Sequence, residues 1–327
     1  MLPAVPLTTR ESGVHKSLST GPATSRLRPM PRACLFLLAS VLVASAADPA
    51  AKRSFLMLGG ATQIVDADGK VVWKYPAETR DGCVLPNGNV LLTLHKSDAY
   101  PGGAVIEVTR DHKVIFEYKG TQAEVNTAQR LPDGRTMLTE AGDHPRLLEV
   151  DAAGRIQVEL PLQCTAKNPH LQSRMARKLP DGHYLVPQDR LVRELDATGK
   201  VVWEYQAPSS KLDNRTFCAL RNAAGHTLIS LTIGNQLVEV DAAGKVVWEL
   251  KQGELADAPL TRTTALAWLP NGNIVFSNYD ARAPKPKLVE ITRDKKVVWT
   301  YVDGTKSGVH EFQLLDAEGK PLADVLR

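Results

Sequence analysis

The feature that most constrains the fold of this chain is a phrase of eight residues that returns six times. Asp-Ala-x-Gly-Lys-Val-Val-Trp is clear at four sites and degenerate at two, and its copies begin at Asp66, Thr109, Asp151, Asp196, Asp241 and Thr292. The copies recur roughly every 45 residues, a spacing that is typical of repeat architectures. The chain is therefore predicted to be built from six similar supersecondary units.

A second phrase, Leu-Pro-Asn/Asp-Gly, alternates with the first. It is clear at Leu85, Leu131, Leu179 and Leu269, and a weaker copy begins at Asn222. Asn-Gly and Asp-Gly between apolar runs predict tight hairpins, because such turns need the positive φ that these residues tolerate. Each repeat thus contains two hairpins and four short strands. In the fourth repeat we expect strands near 174–179, 183–187, 191–196 and 200–205.

Six repeats of four antiparallel strands predict an all-β, six-bladed β-propeller. The two ends of residues 48–327, the predicted propeller domain, complement one another. The segment 54–58 is a second strand with no first strand before it, and 309–315 is a first strand with no blade after it. Pairing these two strands would complete blade one, close the ring and remove exposed sheet edges. The tail 320–327 either adds an edge strand or stays loose.

Residues 1–47 are predicted to be a secretory signal peptide with an N-terminal extension, and Met30 is an alternative start. Three arginines precede an apolar run at 33–43, and Ala44-Ser45-Ala46 follows it. A positive flank, a short apolar core and small residues in this order are typical of export signals. The run is too short to span a bilayer. We expect a secreted or periplasmic protein without a membrane span.

Net charge and cysteine content limit the classes of partner and the cross-links that the protein is expected to have. The net charge of +4 lies at the N-terminus, and removing residues 1–46 leaves 35 basic and 35 acidic residues. A neutral body gives no electrostatic reason to expect nucleic acid as a partner. Three cysteines remain, Cys83, Cys164 and Cys218, and an odd number predicts no disulfide framework. A monomer is the expected state.

The first phrase resembles the tryptophan-docking repeat of the PQQ-like (quinoprotein dehydrogenase-like) propeller family. The Leu-Pro-Asn-Gly-Asn hairpin is similar to repeats of arylsulfotransferase-like propellers of secreted bacterial type. The likeness covers nearly all of residues 54–316 and implies that Trp73, Trp203, Trp248 and Trp299 pack between neighbouring blades. Quinoprotein dehydrogenases of this family have eight blades, a calcium-supported site and often a vicinal disulfide. Six blades, no adjacent cysteines and no Cys-x-x-Cys-His predict that no cofactor is bound.

Topology separates two faces of the predicted ring. The turns that contain the repeated glycines form a tight-turn face, and the loops of varying length form a variable-loop face, where function is expected. The longest variable loops include 95–103 and 278–286, which flank blade one and predict a lateral pocket there. Candidate ligand-binding residues lie where the inner strands begin around the axis, a region we call the funnel: Arg80, Asn126, His170, Gln172, Arg174, Arg215, Arg262 and His310.

Several guanidinium groups around one funnel would suit a carboxylate, phosphate or sulfate. The alternative is that acids neutralise the arginines as ion pairs between blades; the candidates are Glu78, Asp81, Glu124, Asp213 and Glu311. No two histidines have the spacing of metal ligands, so no metal site is predicted. No residue is assigned a catalytic role from these patterns alone.

The sequence therefore leaves three functions open. The first is a binding module that takes a small anionic ligand or a protein partner on the variable-loop face. The second is a transferase or hydrolase resembling arylsulfotransferases, acting on an anionic small molecule with His170 or His310 as nucleophile or base. The third is a structural module in envelope assembly. Propeller folds host many unrelated functions, so the choice depends on the site.

Overall fold

The structure, a computed structural model, describes residues 52–209 and 214–327. Within these residues the chain forms six four-stranded antiparallel sheets, as the repeats predict. Blade one contains β1 (Ser54–Gly59), β2 (Thr62–Val65), β3 (Val71–Tyr75) and, from the other end, β24 (Val309–Leu315). The predicted signal peptide and Met30 lie outside the described residues.

The other five blades follow in chain order. Blade two contains β4 (Thr79–Val84), β5 (Val90–Leu94), β6 (Ala104–Val108) and β7 (Val114–Lys119). Blade three contains β8 (Glu124–Arg130), β9 (Thr136–Ala141), β10 (Arg146–Val150) and β11 (Ile156–Pro161). Blade four contains β12 (Arg177–Lys178), β13 (Tyr184–Gln188), β14 (Leu191–Leu195) and β15 (Val201–Gln206). Blade five contains β16 (Thr216–Arg221), β17 (Thr227–Leu231), β18 (Gln236–Val240) and β19 (Val246–Lys251). Blade six contains β20 (Thr263–Trp268), β21 (Ile274–Asn278), β22 (Leu288–Ile291) and β23 (Val297–Tyr301).

The predicted ring closure is confirmed by the pairing of β1 with β24. The two strands are antiparallel, with Ser54 opposite Leu315 and Leu58 opposite Glu311. Every residue of β1 is buried, which fits a strand paired on both edges. Closure therefore removes the edges that the two halves of blade one would otherwise expose.

The repeated tryptophans contact the next blade, as the resemblance implies. The indole nitrogens of Trp73, Trp203 and Trp248 donate to main-chain oxygens in the following blade at 2.9, 3.0 and 3.0 Å. Trp299 closes the series, because its ring meets Phe55 of blade one edge-on at 5.9 Å. Each tryptophan thus joins apolar packing to one directional bond or ring contact.

The inner strand of blade four is much shorter than predicted. Only Arg177–Lys178 forms β12, whereas the expected strand covered 174–179. The cause is a switch of partner: the Met175 N–H donates to the Phe217 oxygen of blade five at 3.2 Å. A short 3₁₀ helix, Pro169–Leu171, precedes this segment, and the Asn168 side chain caps it by accepting from the His170 N–H.

The tail after β24 is ordered against the tight-turn face. Pro321 bridges to Leu315, and Leu326 pairs antiparallel with Trp268 at the end of β20. The tail therefore does not hang loose: through this bridge it adds to the edge of blade six that faces the axis. Among the described residues, no helix is long and apolar enough to cross a membrane. The three cysteines are free thiols, and two of them, Cys83 and Cys218, are buried.

Candidate functional site

The funnel contains a cavity of about 240 Å³ on the variable-loop face. Five of the eight candidate residues line it: His170, Arg174, Arg215, Arg262 and His310. They come from blades one, four, five and six, so the ring brings together residues that are far apart in sequence. We call this space the funnel cavity.

Irregular strand pairing places polar residues at the start of the inner strands. The pairing of β4 with β5 shifts register between Thr79 and Asp81, and that of β8 with β9 shifts between Val125 and Thr127. Arg80 and Asn126 are therefore the extra residues of β-bulges, which redirect side chains at strand ends.

Arg174 is a cation of the funnel cavity without a carboxylate in direct contact among the described residues. Its guanidinium lies over the ring of Phe217, with 5.2 Å from Cζ to the ring centroid. It forms no ion pair with any residue of 52–209 or 214–327. Burial, reinforced by the nearby charge of Arg80 and opposed in part by that of Glu124, lowers the pKa of Arg174 to about 9. The group is still charged at neutral pH, and its charge is poorly compensated.

Two further arginines contact acids that the sequence did not single out. The Nε of Arg215 is 3.5 Å from the Asp189 carboxylate, and that of Arg262 is 3.3 Å from Asp280. Arg262 has a φ of 52°, a left-handed conformation that is unusual for a side chain of this size. Its N–H donates to the Asn235 side chain at 2.5 Å, which helps to hold this strained backbone.

Arg80 belongs to a small network beside the cavity. One of its terminal nitrogens is 3.2 Å from Glu124, and the other is 3.0 Å from Nδ1 of His170. The same Nδ1 is 3.2 Å from the second oxygen of Glu124. Burial opposes ionisation of this carboxyl, but the contact with His170 and the charge of Arg80 together lower the pKa of Glu124. The network neutralises Arg80 and orients His170, whose side chain is 41% exposed.

His310 lies in a stack of rings at the wall of the cavity. The Tyr279 ring is nearly parallel to it at 4.8 Å between centroids, and the His95 ring is nearly parallel to it at 5.9 Å. Its Nδ1 is 3.4 Å from the Thr79 oxygen, so Nδ1–H donates and Nε2 is left as the acceptor. Burial, followed by the neighbouring His95, lowers the pKa of His310 to about 3. The imidazole is neutral at physiological pH.

Gln172 and Asn126 do not line the funnel cavity. The Gln172 amide accepts from the Gly142 N–H at 2.8 Å and donates to the Ala166 oxygen at 3.1 Å. The Asn126 amide is buried, with its nitrogen 3.5 Å from Ser173 Oγ. Both side chains hold neighbouring backbone or blades together.

Of the acids expected to neutralise the funnel arginines, one contacts a funnel arginine and two contact an arginine elsewhere in the channel. Glu124 contacts Arg80 as expected, but Asp81 and Glu311 contact Arg177, at 2.8 and 3.5 Å. Asp213 lies outside the described residues, and Glu78 forms no ion pair within them. Sequence reasoning missed Arg177; its signal was a charged residue inside a predicted inner strand.

The lateral pocket expected beside blade one is present. It has a volume of about 360 Å³ and lies next to the funnel cavity, because Tyr279 and His310 border both spaces. His95 from one long loop and Arg282 from the other contribute to its lining. Sequence reasoning identified these loops but did not single out the rings of Tyr279 and Phe217, which line the funnel cavity.

Comparisons with known proteins agree with the architecture. A protein of unknown function from Bacteroides caccae has a TM-score of 0.69 at 22% identity, over 81% of this chain and 99% of that one. Virginiamycin B lyase from Staphylococcus aureus has a TM-score of 0.54 at 15% identity, over 82% and 87% of the two chains. The WD40 propeller of Doa1 has a TM-score of 0.55 at 15% identity, over 86% and 89%.

At such identities the likeness concerns the fold alone. No curated protein sequence matches the chain. A family model does match, however, and it covers residues 59–318, which is most of the propeller. The family is described as outer membrane protein assembly factor BamB, and its match spans the same tryptophan repeats that build the six blades. The chain belongs to this BamB family of PQQ-like β-propellers.

Proposed function

We propose that the protein is an exported binding propeller that holds a small anionic ligand in the funnel cavity. The observation that carries this proposal is Arg174, a guanidinium that lines the cavity and forms no ion pair within residues 52–209 and 214–327. The charge of Glu124, which is not in direct contact with Arg174, compensates it only in part. A partly buried charge without a partner is unfavourable, and an anion would relieve the imbalance. The family and the fold support a binding or scaffold role in general terms.

The surroundings of Arg174 restrict the ligand further. A guanidinium binds carboxylate, sulfate or phosphate through two parallel hydrogen bonds. Arg215 and Arg262 add positive charge at the same cavity, although Asp189 and Asp280 offset part of it. The volume of about 240 Å³ is below the range of roughly 300–1,000 Å³ that is usual for drug-sized ligands. The ligand is therefore small, and the partly exposed ring of Tyr279 at the cavity wall favours a flat apolar part.

The test measures thermal stability with sulfate, phosphate, benzoate and a phenyl sulfate at matched ionic strength. The parent protein is compared with Arg174→Ala and with the control Arg155→Ala, which removes an exposed arginine paired with Asp151. We expect a saturable rise in melting temperature for the parent and the control, lost in Arg174→Ala. A ligand at 100 times its Kd adds about 2.7 kcal/mol. Equal, unsaturated shifts in all three proteins would contradict the proposal.

Catalysis is a second candidate because His170 has an orienting partner. Glu124 lies 3.2 Å from its Nδ1 and Arg80 lies 3.0 Å from the same atom. When Nδ1–H donates to Glu124, Nε2 is left free to act as nucleophile or base. The arginines would stabilise negative charge on the group that is transferred. We expect release of 4-nitrophenol from its sulfate or phosphate ester, reduced at least tenfold by His170→Asn. If the parent protein binds these esters without hydrolysing them, catalysis on them is excluded and ligand binding is the remaining function.

Export forms part of the proposed function. Residues 1–47 carry the charge, apolar run and small residues of an export signal, and the family is named for outer membrane assembly. We expect the exported protein to begin at residue 47 or 48. N-terminal sequencing of exported material decides this, and a mature chain that begins at Met1 or Met30 would contradict it.

A further inference from the structure

The last residues of the chain occupy the tight-turn end of the central channel. After the turn at 316–320, Leu326 donates to the Trp268 oxygen at 3.1 Å and accepts from the Trp268 N–H at 2.9 Å. This pair of bonds is a single antiparallel bridge to the inner strand β20, and it has the main-chain geometry with which many domains bind extended peptides. Leu322 and Val325 pack against the apolar cluster shared by blades one and six.

The residue after Leu326 enters a cluster of buried charges at the axis. Asp81 and Glu311 are completely buried, and Arg177 contacts both of them. The Arg327 side chain is 3.8 Å from Glu311, and its main-chain oxygen accepts from Arg177 Nε at 3.2 Å. We call these four residues, Asp81, Arg177, Glu311 and Arg327, the axial charge cluster. Two buried acidic side chains, Asp81 and Glu311, contact one guanidinium from the blades, that of Arg177. Arg327 of the tail supplies a second positive charge beside Glu311.

The tail fills only part of the space at this end. A cavity of about 690 Å³ adjoins it, and Leu326 and Arg327 form one side. Leu179 and Leu220, from blades four and five, lie among the residues of the other sides. A longer or bulkier extended segment than the tail would therefore fit on this face.

We propose that the tight-turn end of the channel is a peptide-binding site for an extended segment with an apolar residue followed by arginine. Residues 321–327 are its resident occupant, and a partner protein that presents the same chemistry takes their place. Main-chain pairing with Trp268 gives affinity, and the acids Asp81 and Glu311 select the arginine. This site is on the opposite face from the funnel cavity and does not depend on the function proposed there.

Because the tail is covalently attached to the propeller and occupies the site, a simple binding assay with a free peptide would not detect the site. A short tether gives the tail an effective concentration on the order of millimolar, so a free peptide at micromolar concentration cannot displace it. The test therefore cuts the tether after the chain has folded. A protease site is placed in the turn 316–320, where Ala317 and Glu318 are exposed. The labelled probe is a synthetic peptide of residues 321–327.

We expect no binding of the peptide to the uncut chain and saturable binding after cleavage, measured by fluorescence anisotropy. A peptide with Arg327→Gln should bind at least tenfold more weakly. A second arm needs no cleavage: the intact chain with Arg327→Gln holds its own tail less tightly, so the unmodified peptide should bind it better than the parent. Two results would overturn the proposal: a cut chain that loses its tail and binds no peptide, or equal binding of both peptides.

Discussion

Arg174 and Arg177 are three residues apart in the same inner segment of blade four, yet their surroundings differ completely. Arg174 lies in the funnel cavity over Phe217 and forms no ion pair within the described residues. Arg177 lies in the axial charge cluster and contacts Asp81 and Glu311. Burial opposes both charges; it lowers the pKa of Arg174 to about 9, whereas Asp81 and Glu311 outweigh it and raise the pKa of Arg177.

The difference separates a residue that stabilises the ring from one that is available to a ligand. Removing one partner of a buried pair leaves an uncompensated charge and costs about 3–5 kcal/mol. Removing Arg174, which forms no ion pair with any described residue, leaves no such charge behind. Mutations at the two ends of the channel should therefore have different effects. Those at the tight-turn end should lower the stability of the fold, and those in the funnel should lower the affinity for an anion.

The largest expected effect comes from deleting residues 309–327, because β24 contributes to both ends. His310 forms part of the funnel wall, Glu311 belongs to the axial charge cluster, and the strand completes blade one. We expect loss of soluble protein, since two sheet edges become exposed. Soluble yield and gel filtration measure this. A soluble monomer with unchanged melting temperature would show that the ring does not need β24.

The comparison is tested directly by Arg177→Met and Arg174→Met. We expect the first to lower the free energy of unfolding by about 3–5 kcal/mol. The second should change it by less than about 1 kcal/mol and should abolish anion binding. Urea unfolding of both variants gives the two values. Similar losses of stability in both would mean that Arg174 is also a structural residue, and would weaken the proposed function.

The neighbours His310 and Glu311 should give opposite pH dependence. Burial raises the pKa of Glu311 from 4.5 to about 7, so the folded state holds the proton more tightly and stability falls as the pH rises from 4.5 to 7. Burial lowers the pKa of His310 from 6.5 to about 3, so the stability present above pH 6.5 is lost as the pH falls towards 3.

Each group contributes a slope of at most about 1.4 kcal/mol per pH unit. The measurement is the free energy of unfolding against pH for the parent, Glu311→Gln and His310→Gln. The first variant should lose the decline above pH 4.5, and the second the decline below pH 6.5. Parallel curves for all three proteins would show that neither group is protonated differently in the folded state.

The smallest effect concerns the aromatic wall. A Cβ at Gly308 would overlap the Tyr279 ring, whereas one at Gly304 would meet nothing within 4 Å. We expect Gly308→Ala to displace Tyr279 and weaken anion binding by less than tenfold, which is less than about 1.4 kcal/mol. Gly304→Ala is the matched control and should leave affinity unchanged. Equal anion affinities of the two variants would show that Tyr279 does not contribute to anion binding.

The repeats and hairpin glycines predicted the blade count, because turn chemistry and strand alternation are local. The funnel arginines could be assigned to one face for the same reason. The partners of these arginines could not be predicted, since bulges at Arg80 and Asn126 redirect the side chains that follow. Asp189 and Asp280 come from loops between strands, whose conformations leave no periodic pattern in the sequence.

The closure of blade one also has a kinetic consequence. The paired strands β1 and β24 are separated by roughly 250 residues, so their contacts are among the most non-local in the chain. Closing a long loop carries an entropy cost that hairpins within a blade avoid. A folding intermediate with five finished blades would hold neither His310 nor Glu311 in place. Because such an intermediate lacks one wall of the funnel cavity, anion affinity should reach its full value only in the final folding phase, so that ligand affinity reports whether a molecule has finished folding.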